Sequence, residues 1–310
     1  MIVEPSPDRV TWLDGNFVPW CDAKMHISDH HYGFGVFEGV RSYALERSAA
    51  IFRLRDHTDR LFRSAHILGV PIPSQYDRAR INEAQVELLR RNKLGNAYLR
   101  PFIFYGGALG LSPRSQGLEV HVSIMALEWK DGAYRRGDAT QQGLSLRTST
   151  FTRYHANSQF RRAKANANYM NSMLALQEAQ SSGADDALLL DGSGYVTETS
   201  AANVFVVEGG TLYSPPRESA LDGITRDTVT KLAAIAGIAV AERRLSRDDF
   251  YAADEAFVTG TAVEVTPIRE LDGRRIGPGT RGRLTERLQS MYAAYVRGRG
   301  ETDLGWLTPV

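Results

Sequence analysis

A lysine set between two alanines, in Arg161-Arg162-Ala163-Lys164-Ala165-Asn166, offers an amine on a narrow stretch of backbone. That suits an inward-pointing position at the end of a strand, where a partly dehydrated amine can serve as nucleophile and proton carrier. The same run also has the composition of a solvated basic segment, so the lysine needs partners before it means chemistry. Glu198 is one: it follows an apolar strand and opens the polar loop Thr199-Ser200 before Asn203. A buried carboxylate there would hold a pyridine nitrogen protonated, although an exposed turn glutamate is the commoner fate of such a residue. Two turns are suited to an anion. Gly223-Ile224-Thr225-Arg226-Asp227 opens a helix with a glycine and a hydroxyl beside free amides, and Gly260-Thr261-Ala262 repeats the pattern after a strand. Either turn alone reads more readily as an ordinary cap or turn, and it is the pair that points to an anion.

The elements that must position these groups follow from periodicity. Val10 to Trp20 alternates around Asp14-Gly15-Asn16, which predicts an opening hairpin. Arg55 to Leu68 and Arg78 to Asn92 carry helical spacing, the first stopped by Pro71 and Pro73 and the second capped by Gly95-Asn96. Ala97 to Tyr105 and Leu118 to Leu127 read as strands. The polar, glycine-bearing residues 130–142 form the expected linker between a domain at 1–129 and another at 143–310. Beyond it we expect strands at Leu144–Thr150, Asp186–Leu190, Tyr195–Thr197, Asn203–Glu208, Ala239–Arg244 and Glu255–Thr259. Helices are expected at Ala167–Ser181, Thr225–Ala236 and Gly282–Val296. Such a mixture with many hairpins is α+β, with antiparallel or mixed sheets.

A chain of 310 residues exceeds one ordinary core, in keeping with two domains. Lys+Arg 37 against Asp+Glu 36 leaves a net charge of +1, so any anionic ligand must be met by local positive groups rather than by a global field. No nucleic-acid surface is expected, since the basic cluster at Arg161, Arg162 and Lys164 has no interleaved aromatic platform. No apolar run is long enough for a bilayer, the amino-terminal segment lacks the form of a secretory signal, and the single cysteine, Cys21, permits no internal disulfide. These features predict a cytosolic protein. No metal site is expected: His26, His30, His31 and His57 show no ligand spacing and suit helix-surface or hairpin positions.

From Asp29 to Pro267 the chain resembles the branched-chain amino-acid aminotransferases, the class IV group of pyridoxal-phosphate fold type IV. The motifs that carry the resemblance occur in order: His31-Tyr32-Gly33 with Phe37-Glu38-Gly39-Val40-Arg41, Ala97-Tyr98-Leu99-Arg100-Pro101, Ala163-Lys164-Ala165 with Asn168-Tyr169, Gly194-Tyr195-Val196-Thr197-Glu198, Gly223-Ile224-Thr225-Arg226, and Gly260-Thr261-Ala262. The resemblance implies a two-domain fold like that of D-amino-acid aminotransferase, with a small amino-terminal α/β domain and a larger domain of mixed sheets forming a pseudobarrel. It implies pyridoxal 5′-phosphate as cofactor, with Lys164 as the Schiff-base lysine, Glu198 on the ring nitrogen, Tyr169 on the ring hydroxyl and Leu221 packed on the ring. Arg60, Ile224, Thr225 and Thr261 match the phosphate contacts. Tyr98, Thr261 and Ala262 match the groups that hold the substrate α-carboxylate, and Arg100 the one for the distal carboxylate of glutamate or 2-oxoglutarate. Tyr32, Phe37, Arg41 and Tyr134 complete the substrate pocket. Amino acids and 2-oxo acids are the implied partners, and a homodimer or an assembly of dimers the implied state. Independently of the resemblance, Tyr98 and Arg100 at i and i+2 of a strand should face one side.

Two places depart from the family pattern: Thr199-Ser200-Ala201-Ala202-Asn203 stands where a glycine-rich loop with a second acid is usual, and Lys130-Asp131 is inserted in the interdomain loop. The first is closer to aminodeoxychorismate lyases and D-amino-acid aminotransferases, so those activities stay open beside branched-chain transamination. A noncatalytic binding protein of the same fold is the remaining alternative, opposed by the retention of Lys164, Glu198, Arg60 and Tyr169.

Overall fold

The structure, a computed structural model, describes residues 8–27, 33–107, 111–112, 117–130 and 139–310. It comprises two compact units: Met1–Ala133 with Ala163–Ala167 and Val296–Val310, and Tyr134–Arg162 with Asn168–Tyr295. Lys164 thus belongs to the first unit, although the chain on either side of its short segment belongs to the second.

In the first unit β1 (Val10–Leu13) and β2 (Asn16–Pro19) make the predicted hairpin, closed by Asp14 and Gly15 with φ of 45° and 88°. Then come β3 (Gly35–Phe37), β4 (Val40–Ala44), β5 (Ala49–Phe52), α1 (Leu54–Leu68), α2 (Arg78–Asn92), β6 (Ala97–Tyr105) and β7 (Val120–Glu128). The sheet is antiparallel throughout, in the order Leu307–Pro309, β5, β4, β6, β7, β1, β2. β3 and β4 pair with successive parts of β6, Val36 opposite Ile103 and Arg41 opposite Tyr98, so Glu38-Gly39 is a jog between two short strands. Helix α2 starts at an Asp77 cap whose side chain accepts from the Arg80 N–H (2.8 Å), and α1 ends on Gly69 in the left-handed region. Leu54, Leu61, Ala65, Ile81, Leu88 and Leu89 of the helices pack with Leu99, Ile103 and Ile124 of the sheet in one core. Burying a leucine or isoleucine side chain contributes roughly 1.5–3 kcal/mol, which makes this layer the rigid floor for whatever β3, β4 and β6 carry.

The second unit contains α3 (Ala139–Gln142), β8 (Leu144–Thr148), α4 (Tyr169–Ser181), β9 (Asp186–Leu190), β10 (Val196–Thr199), β11 (Asn203–Glu208) and β12 (Thr211–Ser214). It continues with α5 (Ile224–Ile235), β13 (Val240–Glu242), α6 (Arg247–Ala252), β14 (Glu255–Gly260), β15 (Glu264–Leu271), β16 (Arg274–Arg275) and α7 (Arg283–Tyr295). Its sheet runs β10, β9, β8, β15, β14, β11, β12, β13 and is mixed: β8 pairs in parallel with β9 and β15, and β12 with β13. The α+β expectation therefore holds, with one antiparallel and one mixed sheet. Val204, Val206, Leu188, Ala256, Val258 and Ile268 of the sheet meet Phe250 of α6 in the core of this unit. No helix among the described residues is long and apolar enough to cross a membrane.

Candidate active site

Lys164 is gripped through its backbone. Its N–H donates to Ser64 Oγ of α1 (3.0 Å), its carbonyl accepts from the Phe37 N–H of β3 (3.0 Å), and Ala165 bridges to Val36. Ala163 and Ala165 are buried, so the small flanks are what allow the segment to lie against α1 and β3. Of the chain's five lysines, Lys24, Lys93, Lys130 and Lys231 are exposed and Lys164 alone is half-buried. Burial of the amine, reinforced by the Arg60 guanidinium and more weakly by Arg100, lowers its pKa from 10.5 to about 8 against the opposing pull of Glu38 and Tyr98. At neutral pH such a group is about one-tenth free amine, against less than about one in a thousand for an ordinary lysine.

Around it, β6 delivers the expected pair. Tyr98 and Arg100 are half-buried on one face while Ala97 and Leu99 are buried on the other, and Arg100 Nη2 donates to Tyr98 Oη (3.4 Å). The Arg100 guanidinium lies 4.8 Å from the Phe37 ring centroid, and Lys164 Nζ lies 4.9 Å from the same ring. Tyr98 stacks on Trp129 at 5.4 Å, and Arg41, buried, lies over Trp129 (4.3 Å) and Tyr43 (4.7 Å). A methyl on Gly39 would overlap the Tyr98 hydroxyl, so the glycine at the jog is what lets this tyrosine sit where it does. Lys164, Phe37, Tyr98, Arg100 and Arg41 are therefore brought together within one unit, as cations set among aromatic faces.

Arg60 is in the same unit, and here the sequence missed its companions. Its Nε and Nη2 donate to the two oxygens of Glu38 (2.6 and 2.8 Å), while His57 Nδ1 lies 2.8 Å from Glu38 Oε2. All three are buried, so His57 corrects the surface or hairpin position expected for it. The ion pair outweighs the desolvation of Glu38 and holds its carboxyl far below the usual carboxylate range, and burial pushes His57 downward toward its neutral form. A carboxylate inside the apolar run Val36-Phe37-Glu38-Gly39-Val40 was the available signal, since such a group requires a buried partner.

The second unit carries the remaining described candidates. Glu198 sits on β10 just after a register shift between Val196 and Glu198 in the pairing with β9, an irregularity that redirects side chains. It is buried, Oε1 accepts from Arg153 Nη2 (2.6 Å), and Oε2 accepts from the Leu221 N–H (3.3 Å). Arg153, also buried, donates to Ser172 Oγ (2.9 Å) and lies over Tyr154 (4.8 Å); sequence reasoning gave it no role, because nothing local marks it. Burial, assisted by the charges of Glu198 and Tyr169, raises the Tyr154 hydroxyl to about 12 despite Arg153. Tyr169 begins α4, half-buried. The unusual Thr199–Ala202 loop is a tight turn, with the Thr199 N–H donating to the Ala202 carbonyl (2.8 Å) and the Ala202 N–H to Thr199 Oγ1 (3.2 Å).

Helix α5 opens at Gly223 with no side-chain cap hydrogen bond, leaving the amides beside Ile224 and Thr225 without that partner. A methyl on Gly223 would overlap Asn203 Oδ1, and Asn203 Nδ2 donates to the Leu221 carbonyl (3.0 Å), so Leu221 and the helix start are tied to β11. Thr261 and Ala262 form the half-buried turn after β14, and the neighbouring Thr259 hydroxyl is buried without a hydrogen-bond partner. Tyr32, Tyr134 and the Asp131 of the insertion lie outside the described residues.

Comparison with known proteins came to the same region. The family model described as amino-transferase class IV matches residues 35–271. The chain is 53% identical over 305 residues to the branched-chain-amino-acid aminotransferase of Pseudomonas aeruginosa, covering 98% of each. Among solved structures it is similar to the T.th. branched-chain amino acid aminotransferase with pyridoxamine 5′-phosphate, with TM-score 0.92, 42% identity, and 97% and 98% of the two chains covered. It is likewise similar to the branched-chain amino acid aminotransferase of Thermobaculum terrenum in its PLP-form, with TM-score 0.88, 32% identity and 99% of each chain covered.

Proposed function

The chain belongs to the amino-transferase class IV family, and from that premise we propose that it is a pyridoxal-phosphate-dependent transaminase moving the amino group between branched-chain or other apolar L-amino acids and 2-oxoglutarate. The observation that carries this reading is Lys164, the one half-buried lysine, with its pKa lowered to about 8 beside Tyr98 and Arg100. The donor set fits the cofactor: a partly unprotonated amine, a buried carboxylate hydrogen-bonded by Arg153, and helix amides and hydroxyls suited to a phosphate. In this assignment Lys164 binds the aldehyde carbon, Glu198 the ring nitrogen, Tyr169 the ring hydroxyl and Leu221 the ring face. Arg60, Ile224, Thr225 and Thr261 bind the phosphate. When bound, the cofactor supplies an electron sink for the electrons released from the substrate α-carbon.

The chain's own residues then divide the work. With the cofactor in place, Lys164 Nζ would be the base that takes the proton from the substrate α-carbon and holds it for return, a role that its lowered pKa suits. Tyr98 with the Thr261 and Ala262 amides holds the α-carboxylate. The planar fork of Arg100 takes the distal carboxylate of the 2-oxo acid, while Phe37, Arg41, Tyr32 and Tyr134 border the side-chain pocket. We also read residues 130–142 as the linker between a small amino-terminal domain at 1–129 and a larger cofactor-binding domain at 143–310, on the polar, glycine-bearing composition of that stretch. A cytosolic homodimer or assembly of dimers completes the proposal. Met170, Met173 and Leu174 on one side of α4, with Phe160, are exposed apolar residues that support a second copy.

A panel of leucine, isoleucine, valine, phenylalanine and D-alanine with 2-oxoglutarate tests the reading. Fastest turnover with the branched L-amino acids is expected. Preference for the D-amino acid, or pyruvate release from aminodeoxychorismate without amino exchange, overturns it.

A further inference from the structure

Helix α1 is not a simple amphipathic helix. Leu54, Leu61 and Ala65 form its core stripe, but His57, Arg60 and Ser64, spaced i, i+3 and i+7, form a second stripe that is polar and equally buried. Side-chain hydrogen bonds of that polar stripe lead toward Lys164. Ser64 accepts from the Lys164 N–H (3.0 Å), and Arg60 and His57 converge on Glu38, which is next in sequence to the Phe37 whose N–H donates to the Lys164 carbonyl. Glu38 takes the Nε and Nη2 side of Arg60 in a two-bond fork, which fixes both the plane of the guanidinium and its rotation about the side-chain axis. His57, held on the same carboxylate, in turn fixes the carboxylate plane.

We propose that Glu38, braced by His57, is a positioning residue that aims Arg60 at the cofactor phosphate and balances the charge of Arg60 at the Lys164 amine. The inference rests on the cofactor assignment above, and it gives the phosphate anchor and the reacting lysine one shared support. A buried guanidinium without its carboxylate would be free to swing and would add an uncompensated positive charge close to a second cation. The charged and titratable groups that bear most on Lys164 include Arg60, Glu38, Tyr98 and Arg100, and Lys164 in turn bears on His57. Removing the negative member of this set leaves cations in excess, so the free amine must become easier to form.

Two measurements on the full chain, freed of cofactor, test this. The first is the pH dependence of Lys164 acylation by acetic anhydride, read by peptide mass spectrometry. In Glu38→Gln its midpoint should fall below the wild-type value near 8 by about one pH unit, a shift that a purely structural defect does not produce. The second is the ratio of dissociation constants for pyridoxal and pyridoxal phosphate. Glu38→Gln should reduce the wild-type preference for the phosphorylated form by about tenfold or more, while pyridoxal itself binds no more weakly than to wild type. Glu38→Asp keeps the charge but cannot reach both nitrogens, so its midpoint should return to the wild-type position while its phosphate preference stays reduced. Should Glu38→Gln not fold, the Glu38→Asp ratio decides. An unchanged midpoint, or equal weakening of the two forms, or a wild-type ratio in Glu38→Asp, overturns the proposal. Failure of the underlying assignment is distinct: wild type itself would then show no preference for the phosphorylated form and no borohydride capture at Lys164.

Discussion

At the scale of single residues, the chemistry turns on what surrounds one amine. Burial and Arg60 hold the Lys164 pKa near 8, so its acylation rate in the cofactor-free chain should climb tenfold per pH unit up to about pH 8 and then level off. An ordinary lysine would keep climbing to about pH 10, and that profile would argue against a desolvated amine. The sign for stability follows from the same shift. Between pH 8 and 10.5 the folded chain binds fewer protons at this position than the unfolded chain, so Lys164 makes folding more favourable as pH rises through that window. Lys164→Met should flatten this part of the pH–stability curve. Arg100 offers a separate check. If it holds the distal carboxylate, Arg100→Ala should raise KM for 2-oxoglutarate by about tenfold or more, with a much smaller effect on leucine. Equal losses for both substrates remove it from that role.

At the scale of elements, Gly39 matters as much as any charged group. It lies in the jog between β3 and β4, its φ is outside the left-handed region, and alanine is therefore allowed by the backbone but not by the Tyr98 hydroxyl. Gly39→Ala should keep the fold, by circular dichroism, and raise KM for the amino donor by about tenfold through displacement of Tyr98. Unchanged kinetics would show that Tyr98 does not contact the substrate. Elements with a clear period were legible in the sequence: α1, α2, β6 and the first hairpin lie within a residue or two of expectation, and the strand alternation of β6 correctly put Tyr98 and Arg100 on one face. β3, β4 and β5 were not legible, because strands buried on nearly every position lose the alternation that marks a half-exposed strand. β15 hid behind Pro267, a residue that argues against a central strand yet sits opposite Phe257, next to a register shift between Ile268 and Glu270. The partners of the key residues were hidden for a different reason. Arg153 lies 45 residues from Glu198, and only the fold brings their side chains within 2.6 Å.

At the scale of the molecule, a net charge of +1 means that the protein exerts little long-range pull on a phosphate. Capture must come from close contacts, and raising ionic strength from about 50 to about 300 mM should change the association rate of pyridoxal phosphate by less than about threefold. A steep salt dependence would point instead to a steering surface. The carboxyl-terminal segment completes the first unit: Leu307–Pro309 extends the sheet beside β5, and Trp306 packs edge-on to Phe52 (5.7 Å) beneath the Arg53 guanidinium (5.0 Å). Trp306→Ala should lower stability to urea by about 2–4 kcal/mol, from lost aromatic and cation–π packing. With only five lysines in the chain, the amine that receives the cofactor can be identified directly. The chain loaded with pyridoxal phosphate is reduced with borohydride and digested, and the labelled peptide is identified by mass spectrometry. Label on Lys164 alone is expected; label on Lys24, Lys93, Lys130 or Lys231 in its place, or no stable label at all, would rule out Lys164 as the cofactor-binding lysine.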